Sequence, residues 1–243
     1  MTDTGPVELS HPADGVALVR LCRPEARNAI DTATLELLLS ALDEVEADPE
    51  ARVLVISSAD EASFSAGADV RERLDEAARV RRMELFADLY DRITGFGKPT
   101  LAVCRGAVVG GGAEIAVACD IRVAGDNLGL RFPGAALGVP VGAARLVTLC
   151  GLATAKYLLL TSVTIGAEEA LRLGVVQRVT PAEGAEREAL GLASSIAEYD
   201  PESVGRLKRM LHRWDGVEER SSDEGRGQVE WQRTGPGLPH GGD

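Results

Sequence analysis

Apolar positions follow two rhythms along this chain. Mainly apolar runs at residues 16–22, 53–57, 100–104 and 121–124 read as strands, the first two as buried ones. Between them the spacing turns helical: Leu35, Leu38, Leu42 and Val45 follow Asp31, a residue suited to capping a helix N-terminus. Asp48-Pro49 stops that helix. Residues 58–65 read as a loop, and 71–94 as a charged helix broken by Gly95-Phe96-Gly97-Lys98-Pro99. A Gly-rich turn at 106–112 leads into a short apolar helix over 113–119. Residues 144–160 are mostly helical, and 167–173 form a short helix closed by Gly174. A last strand is expected at 175–179, and two further helices run to about Arg213.

Strands alternating with helices predict an α/β fold whose last third is more helical. From Asp215 onward the chain is rich in Gly, Pro and charge and poor in apolar residues. That predicts a tail without fixed structure, or one ordered only against a neighbouring subunit. Trp214 and Trp231 lie in or beside it, and docking on another subunit is one reading of them.

Composition narrows the partners. With 45% hydrophobic residues but only 4% aromatic, the core is expected to be built from Ala, Val, Leu and Ile. A formal net charge of -12 argues against nucleic acid, which requires a basic face, so any anionic ligand must meet local cations or backbone dipoles. Cys22, Cys104, Cys119 and Cys150 sit in apolar runs without C-x-x-C spacing and read as reduced, small hydrophobes. The N-terminal MTDTGPVELS has no leader-like character, and no apolar run approaches the ~20 residues of a membrane span. A soluble, cytoplasmic protein with no membrane partner is expected.

Two Gly-containing stretches carry the candidate chemistry. They are Phe64-Ser65-Ala66-Gly67-Ala68-Asp69 and the run from Gly106 through Gly110-Gly111-Gly112 to Glu114. Each is either a tight turn that needs glycine or a place where backbone N–H groups approach a ligand. Two N–H groups aimed at one oxygen make an oxyanion hole, in which each donor typically supplies about 2.7–4 kcal/mol of transition-state stabilisation. Glu114, three residues after Gly111, shares a helix face with the Gly111 amide. It is either a general acid/base there or an acidic residue favoured by the first helical turn. Other chemistries fail on spacing. Ser63 and Ser65 lack a plausible triad partner, since the histidines are His11, His212 and His240, all near the termini. Ile115 stands where a dinucleotide loop needs its third Gly, and neither a Lys-Ser/Thr pair after the glycines nor a metal-ligand cluster is present. Arg79, Arg81 and Arg82 read as a solvated helix face, with contact to ligand phosphates as the alternative.

From about residue 15 to residue 210 the chain resembles the crotonase (enoyl-CoA hydratase/isomerase) family. The two Gly stretches look like its signature loops. Arg23-Pro24-Glu25-Ala26-Arg27-Asn28-Ala29 looks like its first-strand exit, Lys98-Pro99-Thr100 like its central-strand entry, and 167–179 like its "A…A…GLV" segment. The resemblance implies a crotonase-like spiral of strand–strand–helix units followed by a helical C-terminal region. Residues 1–200 would form the acyl-CoA-binding core, and 201–243 a C-terminal helix and tail used for trimerisation or disordered at the end. It implies a thioester oxygen held by the N–H groups of Ala68 and Gly111. CoA would be cradled by Ala66, Asp69, Val70 and Arg71, with Ala26 and Arg27 nearer the nucleotide. Glu114 matches one of the two glutamates of the hydratases. The second would follow Phe132-Pro133, where this chain has Gly134, and no Asp or Glu occurs between Asp126 and Glu168. The stretch 138–145 is also short for the family. Arg131, Glu72 and Asp69 are the groups that could supply a proton or charge instead. The resemblance thus implies hydration of a 2-enoyl-CoA with one glutamate missing, or double-bond isomerisation, or acyl-CoA binding without catalysis. It implies no separate cofactor, CoA being part of the substrate, and a homotrimer or dimer of trimers.

Overall fold

The computed structural model describes residues 5–139 and 143–238. In chain order the strands are β1 (Val7–Ala13), β2 (Val16–Leu21), β3 (Val53–Ser58), β4 (Ser63–Ser65), β5 (Thr100–Cys104), β6 (Ala107–Val109), β7 (Ile121–Gly125), β8 (Gly129–Arg131) and β9 (Arg178–Thr180). The helices are α1 (Thr32–Ala47), α2 (Glu76–Thr94), α3 (Gly111–Ala118), α4 (Gly134–Leu137), α5 (Ala143–Thr161), α6 (Ala167–Arg172), α7 (Ala185–Ala197), α8 (Pro201–Asp215) and α9 (Val217–Thr234). One sheet runs β1-β2-β3-β5-β7-β9, parallel except for the antiparallel β1 at its edge, and a second, wholly parallel sheet runs β4-β6-β8. Each turn of the chain therefore lays one strand in the large sheet, a short one in the small sheet, and then a helix: β3-β4-α2, β5-β6-α3, β7-β8-α4. This is the expected spiral.

Side chains on alternate positions of the large sheet enter two cores. Val16, Leu18, Val53, Val55, Leu101, Val103 and Val123 face α7, which meets them through Ala185, Ala189, Ala193 and Ala197. That stripe of alanines at helical spacing lets α7 lie close to the sheet. The opposite face packs with α1, α2, α3 and the small sheet around Leu35, Leu42, Ile56, Phe64, Phe86 and Ile115. Asp31 caps α1 by accepting the Thr34 N–H at 2.8 Å, as its position predicts.

Several elements depart from the sequence reading. Residues 58–65 and the Gly-rich turn contain β4 and β6, and β8 and the edge strand β1 join the sheets as well. Helix α2 begins at Glu76 rather than residue 71, because Asp75 caps it through the Ala78 N–H and the Arg71 N–H turns back to Asp69 Oδ1. The last strand starts at Arg178, since the N–H groups of Val175 and Val176 both close the end of α6 on the Ala170 carbonyl. Residues 217–234 are helical and pack against α2 and α5 of the same chain. Their buried face is Ser221, Gly225, Gln228 and Gln232, which carries no apolar signal for a sequence reading to find. Residues 239–243, with His240, and 140–142 of the short 138–145 stretch lie outside the described residues. Within α5, Ala144–Thr161 is long and apolar enough, by length and composition only, to cross a membrane, although Arg145 and Lys156 interrupt its apolar residues. Gly151 interrupts it with non-helical backbone at φ 78°.

Candidate active site

Helix α3 fixes the centre of the site. Its N-cap, Gly110, has φ 52°, and its C-terminal end is held by buried Arg122 of β7, which donates to the Cys119 and Ala116 carbonyls. The loop before α2 lies against this N-terminus. Gly67 has φ 91°, and a Cβ there would fall 2.8 Å from the Val109 carbonyl oxygen and 3.2 Å from the Gly111 nitrogen. A Cβ on Gly112 would meet Ser65 Cβ at 2.6 Å. Glycine is thus required at both contacts, and the turn and the close approach are one property. Ile30 bridges Ala68 by donating to the Gly67 carbonyl and accepting from the Asp69 N–H, which leaves the Ala68 N–H out of the ladder. Gly111, as the first residue of α3, has an N–H with no intrahelical partner. The two groups are neighbours: a Cβ on Gly111 would lie 3.6 Å from the Ala68 nitrogen.

These loops line a cavity of about 550 Å³. Ala26, Arg27, Ala66, Ala68, Asp69, Val70 and Arg71 line it from the first loop and its approach, and Gly111 and Glu114 from α3. Ser63 and Ser65 are structural: their hydroxyls donate to the Arg27 and Asn28 carbonyls, and Ser65 Oγ accepts the Gly67 N–H. Asp69 stays ionised. Burial alone would raise its pKa, but hydrogen bonds from the Arg71 guanidinium and N–H, together with the nearby Arg23, hold it below the ordinary value. Arg82 is no solvated residue; it is 1% exposed, donating to the Asp69 carbonyl at 3.0 Å and pairing with Glu72 at 3.1 Å. Glu72 is further engaged by the Thr32 N–H. Arg131 lines the cavity with its Nε on the Ser162 carbonyl.

Glu114 is 1% exposed, and burial pushes its pKa up to about 7 against the opposing pull of Arg145. Arg145 Nη2 donates to Oε2 at 2.8 Å, whereas Oε1 is buried without a partner among the described residues. A carboxyl poised near neutrality with one free oxygen can take a proton and return it. Arg145 is itself 3% exposed and donates to Ser221 Oγ, which passes the bond on to Asp91. Gly134 lines the cavity at the start of α4, so no carboxylate stands there. Among the described residues no cluster suited to a metal ion occurs.

Three site residues escaped the sequence reading. Tyr90 lines the cavity, and its hydroxyl lies 3.1 Å from where a Gly111 Cβ would be. It falls on the apolar stripe of α2 with Met83, Phe86 and Ile93, so it reads as core. Arg145, whose guanidinium lies 5.4 Å over the Tyr90 ring, did carry a signal: it is one of few charges in a long apolar segment. Gln228, from α9, carried none.

The family model described as enoyl-CoA hydratase/isomerase matches residues 12–225. This chain belongs to the enoyl-CoA hydratase/isomerase family. It is 34% identical over 203 residues to the short-chain-enoyl-CoA hydratase of Clostridium acetobutylicum, covering 82% of this chain and 78% of that one. It is 33% identical over 199 residues to the 2,3-dehydroadipyl-CoA hydratase of Escherichia coli, covering 81% and 78%. Among solved structures, an enoyl-CoA hydratase/isomerase from Xanthobacter autotrophicus superimposes with a TM-score of 0.85 at 29% identity, covering 97% of this chain and 89% of that one. Membership makes the crotonase spiral and its helical C-terminal region the family fold.

Proposed function

We propose that this family member binds an acyl-CoA thioester, places its carbonyl oxygen on the N–H groups of Ala68 and Gly111, and moves one proton with Glu114. The reading favours migration of a double bond along an enoyl-CoA over addition of water. The observation that carries it is a single working carboxylate among the described residues: there Glu114 has a free oxygen, while Asp69, the other acid lining the cavity, is engaged by Arg71 and Arg23. In a 3-enoyl-CoA, Glu114 Oε1 takes a proton from C2. The electrons pass to the thioester oxygen as a dienolate, stabilised by the two N–H groups. Glu114 then delivers the same proton to C4, leaving the double bond between C2 and C3. No water is consumed, so one carboxyl suffices. CoA enters as part of the substrate, with Arg27 and Arg71 at the loop that would cradle it. Exposed Leu207, Leu211 and Trp214, at helical spacing on α8, offer an apolar stripe for a trimer or a dimer of trimers.

Hydration is the second reading. It is favoured by the hydratase names of the relatives and by the Tyr90 hydroxyl beside Gly111, a polar group that can help hold water. The test is an assay of 3-hexenoyl-CoA isomerisation and crotonyl-CoA hydration on wild type and Glu114→Gln. Isomerisation should exceed hydration and fall about 10²–10⁴-fold in the variant. Rapid hydration untouched by Glu114→Gln would overturn the assignment. Tight acyl-CoA binding with neither reaction would leave a binding protein.

A further inference from the structure

Among the polar residues on the inner face of α9, Gln228 stands apart. Ser221 is bonded to Arg145 and Asp91, and Gln232 Oε1 accepts the Leu238 N–H at 3.1 Å. Gln228 is 2% exposed, yet among the described residues neither its Nε2 nor its Oε1 has a partner. A buried amide with both ends unmet is destabilising, and native structures keep few of them. Its place explains the exception, because Gln228 lines the same cavity as Glu114, Gly111 and Tyr90. In a purely hydrocarbon pocket, Leu or Met would serve better at this position.

We infer that Gln228 is a specificity-determining residue that binds a hydroxyl group carried by the acyl chain. The inference rests on the acyl-CoA reading above and adds the substrate class. A carboxamide offers N–H donors and a carbonyl acceptor, and both are open here. A neutral hydroxyl, which donates and accepts, satisfies both at once. A carboxylate would satisfy only Nε2 and leave Oε1 facing an anion, and the buried guanidinium of Arg145 is already engaged by Glu114 and Ser221. An unsubstituted alkyl chain fills the cavity and strands the amide. Water resting on the amide would not alter this, since the alkyl chain would displace it and lose its hydrogen bonds. The site therefore selects against plain hydrocarbon.

The test is calorimetric titration of the full chain with hexanoyl-CoA, with its analogues bearing one hydroxyl at C3, C4, C5 or C6, and with the analogue ending in a carboxylate. At least one hydroxylated analogue should bind about tenfold or more tightly than hexanoyl-CoA, the discrimination expected when a buried polar group is met rather than stranded. Gln228→Met, similar in size but without the amide, should abolish that preference, so that hexanoyl-CoA and its hydroxylated analogues bind alike. Preference for the C3 isomer would place the amide at the carbon to which water adds, and a more distant isomer would place it at the chain end; either supports the inference. Equal binding of all analogues, tightest binding of the carboxylate, or a hydroxyl preference that survives Gln228→Met would overturn it. Where Gln228→Met fails to fold, Gln228→Leu serves as the second variant, and equal binding by wild type overturns the inference without either. Absence of binding by every acyl-CoA would instead refute the underlying acyl-CoA reading.

Discussion

Glu114 should make this protein less stable as the pH rises through neutrality, opposite to the usual behaviour of a paired carboxylate. Its folded pKa, raised by burial, is about 7 against an ordinary 4.5, so the native chain holds a proton over a range in which the unfolded chain has released it. The shift corresponds to about 3 kcal/mol at high pH, of which about 2–3 kcal/mol falls between pH 5 and pH 8. His212 works in the same direction. Its hydrogen bond to Asp120 raises its pKa, so its contribution is present below the unfolded value and lost as pH rises through the folded one. Glu114→Gln separates the two, because glutamine imitates the protonated acid and does not titrate. Urea unfolding of both proteins across pH 5–8 should show wild type losing about 2–3 kcal/mol more than the variant over that span. The variant also weakens the Arg145 pairing, so the difference in pH slope is the quantity to read, rather than absolute stability. Parallel curves for the two proteins would refute a Glu114 poised near neutrality.

Gly111→Pro removes an N–H at a helix position that otherwise tolerates proline, whereas Gly111→Ala adds the same Cβ, 3.1 Å from Phe86 and Tyr90, but keeps the donor. Turnover of the proline variant should be about 10²–10³-fold below that of the alanine variant, measured on folded samples. Gly134→Glu restores a carboxylate at the first residue of α4, where a helical backbone and the helix N-terminus both accept it, and crotonyl-CoA hydration should rise. Gly225→Leu drives a side chain toward Ala87, whose Cβ would already be 3.1 Å from a Cβ at that position, and should loosen α9 from α2. Faster amide hydrogen exchange in 217–234 than in α7 would report that release.

What the sequence disclosed follows from what each residue must satisfy. Val53–Ser58 and Thr100–Cys104 are buried along their whole length, and the apolar runs 53–56 and 101–104 within them announce both. The small sheet uses three-residue strands, too short for any period, so the sequence reads as a loop and a turn at β4 and β6. Helix α9 was misread because it docks through Ser221, Gly225, Gln228 and Gln232, small and polar residues whose burial depends on partners far away in the chain. The same logic divides the site. Gly67, Gly111 and Glu114 sit in one local pattern and were legible together. The Arg145–Glu114 pair joins α5 to α3 and had to await the fold. The absence of a carboxylate at Gly134 was visible as a letter, but the isolation it imposes on Glu114 is a property of the cavity.

The central claim is that Glu114 moves a proton at the carbon next to a thioester held by Ala68 and Gly111. Its most direct test is exchange of the C2 protons of hexanoyl-CoA in heavy water, followed by proton NMR on wild type and Glu114→Gln. Wild type should lose the C2 signal steadily, and exchange should be at least about 10²-fold slower with a variant that still binds the thioester. Exchange at an unchanged rate in Glu114→Gln, or none in a wild type saturated with acyl-CoA, would contradict it.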